Sequence, residues 1–126
     1  MLVDSDILIW YLRGNSKAFE IINSNQDFKI SVVTYIEIVQ GLRNKRELDL
    51  FRKALRNWNA TVLYINDEIS VKSMFLIEKY YLSHSLQLAD SLIASTAIYH
   101  GLELLTGNYK HYKIIEGLDL KIFKPS

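Results

Sequence analysis

Asp4 and Asp6 stand where the chain should turn from strand into helix. The first eight residues read Met-Leu-Val-Asp-Ser-Asp-Ile-Leu: the apolar pair Leu2-Val3 stops at Asp4, Ser5 and Asp6, and a helical apolar pattern follows. In an open α/β sheet, ligands bind beyond the carboxyl ends of strands. Two acids there are poor core material and good ligands for a hard cation. Two further acids could join them. Glu37 follows the apolar run Ile30-Ser31-Val32-Val33, and Asp90 lies in Leu86-Gln-Leu-Ala-Asp-Ser-Leu-Ile-Ala-Ser-Thr-Ala-Ile. There it shares a helical stripe with Leu86, Ile93, Ala94 and Ala97. An ionised carboxylate on a buried face needs a cation, hydrogen-bond donors or a proton to compensate it. Each acid also has a plainer reading. Thr34-Tyr-Ile-Glu37 fits a capping box, Asp90 suits a first-turn surface acid, and Asp6 suits a cap of the first helix.

Asp4, Glu37 and Asp90 would supply oxygen ligands only, which favours Mg²⁺ or Mn²⁺ over zinc or copper. Such a cation orients a phosphate, lowers the pKa of water and stabilises charge on a leaving oxygen, which suits phosphodiester hydrolysis. The carboxylates need the cation in turn, because crowded like charges raise one another's pKa.

The elements that must gather these acids alternate along the chain. Strands are expected at Leu2-Val3, Phe28 to Val32, Thr61 to Ile65, Leu102 to Thr106 and Leu120 to Phe123. Helices are expected from Ile7 to Leu12, stopped by Gly14, then over Ser16 to Asn23 with Phe19, Ile21 and Ile22 on the apolar side. Further helices open at Thr34, follow as a basic segment with Leu48, Phe51, Leu55 and Trp58 inward, and open again at Asn66 or Asp67. The last runs from Ser85 to His100 and ends at Gly101. Strands separated by helices imply an α/β fold with a mostly parallel sheet flanked by helices.

The chain has 126 residues, enough for a single domain over 1–126. It has 49% hydrophobic and 23% charged residues, no cysteine, and no apolar run near the ~20 residues of a membrane span. Disulfides, thiolate metal sites and thiol catalysis are excluded. A signal peptide is not expected at this strand-like start, and the cytoplasm is the expected location. The net charge of +1 is not that of a general nucleic-acid binder. Basic residues do cluster at Arg43 to Arg56 and at Lys110, His111 and Lys113. They read as solvated surface or as a phosphate-facing rim.

Four segments in order resemble the motifs of PIN-domain ribonucleases, most nearly the VapC-type toxins of toxin–antitoxin pairs. They are Leu-Val-Asp-Ser-Asp-Ile-Leu-Ile, Ile-Ser-Val-Val-Thr-Tyr-Ile-Glu-Ile-Val-Gln-Gly, Leu-Ala-Asp-Ser-Leu-Ile-Ala-Ser-Thr-Ala and Leu-Leu-Thr-Gly-Asn-Tyr-Lys-His-Tyr. The resemblance spans essentially the whole chain. It implies a PIN-like three-layer fold, Mg²⁺- or Mn²⁺-dependent endoribonuclease activity, a homodimer, and a cognate antitoxin that blocks the acidic pocket. Charge complementarity suggests that the antitoxin inserts Arg or Lys there. Asp4, Glu37 and Asp90 match the first three family acids. Asp6 falls where the family varies among polar residues, and Ser5 or Thr106 is placed either to position water or phosphate or as a satisfied turn residue. The chain departs from the pattern after the last main strand. Asn108 and His111 stand where a fourth acid is common, which leaves Asn108 to ligate through its carbonyl or hold a ligated water, Asp6 to bind metal through water, and His111 as an exposed loop residue, with the number of metals, one or two, left open. Two other readings compete: a PIN-like module that binds RNA or protein without catalysis, and a phospho-acceptor signalling domain using Asp67. The latter lacks a Lys after its last main strand and leaves Glu37 and Asp90 without a task.

Overall fold

A computed structural model describes residues 1–126. Five short strands, β1 (Leu2–Val3), β2 (Lys29–Ser31), β3 (Thr61–Leu63), β4 (Leu104–Thr106) and β5 (Leu120–Ile122), form one sheet in the order β3-β2-β1-β4-β5. All four pairings are parallel, with Leu2 opposite both Lys29 and Leu104. The helices are α1 (Ser5–Leu12), α2 (Ser16–Asn23), α3 (Val32–Gln40), α4 (Lys45–Asn57), α5 (Asp67–His84), α6 (Leu88–His100) and α7 (Tyr109–Tyr112). This is the expected α/β architecture.

Side chains alternate across the sheet, as the two-residue period of a strand demands. Val3 and Leu105 face one core with Ile7, Ile22, Phe51 and Trp58. Leu2 and Leu104 face the other with Leu76, Leu86, Ile93 and Tyr112. Both sides of the sheet are therefore covered, as a parallel sheet requires. From β1 the chain builds outward to β2 and β3, then returns to place β4 and β5 on the other side. The strand order reverses at β1, and that reversal is where open parallel sheets leave a ligand crevice.

Several element boundaries differ from expectation. α3 begins at Val32 rather than Thr34, because the Ser31 side chain accepts from the Val33 N–H at 3.1 Å and caps the helix. The capping box is thereby removed: Thr34 is buried inside the helix, its hydroxyl has no partner, and Glu37 lies a full turn from the N-terminus. The Ser85–His100 helix starts at Leu88, since Ser85 ends α5 in a left-handed conformation at φ 56°. On α2, Ala18 and Ile22 are buried, whereas Phe19 is exposed and packs edge-on to Tyr11 at 4.5 Å. On α5, Ile69, Leu76 and Tyr80 face the core.

Candidate active site

Asp4 follows β1 directly and is 3% exposed. It is itself the N-cap of α1: its Oδ1 accepts from the Ser5 N–H at 2.8 Å. Its Oδ2 accepts from the Thr106 hydroxyl, at the end of neighbouring β4, at 2.7 Å. Thr106 is thus committed to Asp4, and its own oxygen accepts from the Asn108 N–H at 3.0 Å. Asp6 is not the cap. It lies in the first turn of α1, and its Oδ2 accepts from the Gly107 N–H at 2.8 Å. A Cβ on Gly107 would stand 2.5 Å from that oxygen, so glycine is what lets the turn after β4 close on Asp6. The other Asp6 oxygen is buried with no partner.

Glu37 reaches the same region from α3, and Asp90 from the third position of α6. Asp90 is mostly buried, with 19% of its side chain exposed. Its Oδ1 accepts from the Tyr112 hydroxyl at 3.3 Å, and its Oδ2 lies 3.3 Å from His111 Nδ1. His111 is exposed, as the sequence suggested, but it is also in ionic reach of Asp90. Asn108 is exposed and makes no side-chain hydrogen bond to the acids.

Neighbouring acids act on Asp4, Asp6 and Glu37. Burial pushes the Asp4 carboxyl above the ordinary aspartate range, and the charge of Asp90 adds to the rise. The Thr106 hydroxyl and the Ser5 N–H oppose it. Asp6 is pushed up to about 6, by burial first and then by Asp4. Glu37 is largely exposed, yet partial shielding of its carboxyl, and after that the charge of Asp4, raises it too. No Lys or Arg pairs with Asp4, Asp6, Glu37 or Asp90; the two ion pairs that use Lys or Arg lie elsewhere, at Arg43–Glu47 and Lys79–Glu116. As the side chains stand, no three His, Cys, Asp or Glu groups converge closely enough to share one ion. The carboxylate oxygens are turned instead towards protein donors. The donor set still fits a hard divalent cation: it is all oxygen, Asp4 and Asp6 are shielded from water without a balancing cation, and one buried Asp6 oxygen has nothing to accept.

Beside the acids runs a groove of about 460 Å³ between α1, α3 and α4. Ile9, Leu12, Leu42 and Leu50 supply apolar walls, and Glu37, Arg13 and Arg43 supply charge. Sequence reasoning missed this groove, whose walls come from three helices joined only by folding. It also missed Tyr112 as a polar partner of Asp90. Asp67 opens α5 after the edge strand β3 and is exposed, two strands away from β1. The phospho-acceptor reading is thereby left without its acceptor.

Residues 1–116 match the PIN domain family. Ribonuclease VapC10 of Mycobacterium tuberculosis is 33% identical over 124 residues, covering 94% of this chain and 90% of that protein. A solved toxin–antitoxin complex from Klebsiella pneumoniae contains a chain that superposes with a TM-score of 0.80 at 28% identity, covering 99% of this chain and 97% of that one. DNA-bound VapBC from Salmonella typhimurium gives a TM-score of 0.83 at 20% identity with 96% of each chain covered, a likeness of fold. The chain belongs to the PIN domain family.

Proposed function

We propose that this PIN domain is a divalent-metal-dependent endoribonuclease and the toxin of a toxin–antitoxin pair. The observation that supports the reading is that the charge of Asp90 bears on both Asp4 and Glu37 near the end of the central strand, with no Lys or Arg paired to any of the three. The relatives are ribonucleases by name, and a solved neighbour of 28% identity comes from a toxin–antitoxin complex.

Asp4 and Asp90 would hold Mg²⁺ or Mn²⁺, with Glu37 joining them directly or through water and Asp6 at the rear. When bound, the ion supplies Lewis-acid activation of the phosphodiester. Glu37 is the acid open to solvent and has a raised pKa, so its carboxylate is suited to take the proton of an attacking water. Thr106 and the Ser5 N–H hold Asp4 in one orientation. Lys110 on α7 and Lys113 just after it would draw in the RNA backbone, and exposed Tyr109, which carries Lys113 5.8 Å from its ring centroid, offers a face to an unpaired base. The groove that Glu37 lines suits an antitoxin segment, whose Arg or Lys would meet the unbalanced acids. A homodimer belongs to the same reading. The apolar face of α5, with Val71, Met74 and Phe75 exposed, offers it a surface, and light scattering tests it.

The direct test is RNA cleavage in Mg²⁺ or Mn²⁺, with EDTA and Asp4→Asn as controls. Both controls are expected to abolish cleavage. Cleavage that persists in both removes the metal mechanism, whereas no cleavage by the wild type in either metal favours the non-catalytic binding module.

A further inference from the structure

Tyr112 is the neighbour of the acids that the mechanism leaves without a task. Its ring is fully buried at the end of the four-residue helix α7 and belongs to the apolar cluster containing Leu104, Ala94, Ala97 and Ile115. A phenylalanine would fill that space equally well. The hydroxyl is what differs, and a buried hydroxyl is costly unless it finds a partner. Here its partner is an acid. It donates to Asp90 Oδ1 at 3.3 Å, with the charge of Asp4 also within reach.

Each acid oxygen facing this corner has one protein group setting its direction. Thr106 holds Asp4 Oδ2, Tyr112 holds Asp90 Oδ1, and exposed His111 stands at Asp90 Oδ2. Asp4, between β1 and α1, and Asp90, on α6, come from different elements. Tyr112 bonds to Asp90 and lies within electrostatic reach of Asp4.

We propose that Tyr112 is a positioning residue whose buried hydroxyl orients the Asp90 carboxylate towards Asp4, so that the two acids act as one cation-binding pair. The inference rests on the metal-dependent reading above. Groups that orient metal-binding side chains typically change metal affinity or activity by about 10- to 100-fold when removed.

The test is Tyr112→Phe, which keeps the ring and deletes the hydroxyl. Mn²⁺ binding to the purified protein is followed by electron paramagnetic resonance, with Asp4→Asn in parallel. Tyr112→Phe should bind Mn²⁺ about tenfold more weakly than wild type, with its thermal midpoint in EDTA close to that of wild type. The Mn²⁺ concentration at half-maximal RNA cleavage should rise by a similar factor, with kcat recovered at saturating Mn²⁺. If the variant is less stable, binding is read in the cold on the fraction that circular dichroism reports as folded. Mn²⁺ affinity equal to wild type, alongside weak binding by Asp4→Asn, overturns the role of Tyr112 alone. Equal Mn²⁺ binding by wild type and Asp4→Asn overturns the metal reading itself, and this inference with it.

Discussion

Asp6→Asn should stabilise the protein in EDTA, and most strongly at neutral pH. Folded Asp6 keeps its proton up to about pH 6, whereas the unfolded chain releases it near 3.8. Below 3.8 both states are protonated and the carboxyl costs nothing. Between the two values the unfolded state ionises first, so stability falls as pH rises; above about 6 the whole penalty is present. A rise of about 2 units corresponds to about 3 kcal/mol at 1.36 kcal/mol per unit. Partial access to solvent reduces that to roughly 1–3 kcal/mol. Asparagine keeps a carbonyl oxygen to accept from the Gly107 N–H, and it removes the charge that Asp4 repels. Urea unfolding in EDTA should therefore show Asp6→Asn more stable than wild type by roughly 1–3 kcal/mol at pH 7.5, shrinking to about a third of that at pH 4.5. Mn²⁺ should narrow the gap at pH 7.5 by balancing the wild-type charge. A variant that is less stable at pH 7.5, or whose gain does not change with pH, would refute the reasoning.

Other perturbations test separate parts of the account. Gly107→Ala should cost about 1–3 kcal/mol in urea unfolding, because its Cβ would stand 2.5 Å from Asp6 Oδ2 and force the carboxylate off the Gly107 N–H. Asn66→Ala should cost about 1 kcal/mol, since the Asn66 side chain accepts from the Ile69 N–H at 2.8 Å and caps α5. Lys110→Ala and Lys113→Ala should each raise the KM for RNA and flatten its salt dependence by about one unit of log–log slope, leaving kcat near wild type. An unchanged salt slope would place the RNA path elsewhere.

The acids were legible in the sequence because a short apolar run ending in Asp-Ser-Asp has few uses other than a strand end. Asp90 stood out because a charge on a stripe of Leu86, Ile93, Ala94 and Ala97 demands compensation. Local chemistry misled at Thr34-Tyr-Ile-Glu37. That motif satisfies every rule of a capping box, but Ser31 one turn earlier also caps, and the helix took the earlier start. Phe28, Ile30 and Val32 alternate like a longer strand, yet pairing with β1 and β3 uses only Lys29–Ser31. Phe19 lay on the apolar side of its helix by spacing, but the smaller Ala18 faces the core and the ring packs on Tyr11 outside it. The bonds from Thr106 to Asp4 and from Gly107 to Asp6 join residues about a hundred positions apart. Only the pairing of β4 with β1 brings them together, and no local pattern encodes it.

The central claim is that Asp4 and Asp90 share a divalent cation at the end of β1. Anomalous diffraction from a crystal soaked in Mn²⁺ tests it most directly. The account predicts a single strong peak bounded by the carboxylates of Asp4 and Asp90, on the side that Glu37 faces. A peak elsewhere on the molecule, with Asp4 still bound only to Thr106 and Ser5, would contradict it.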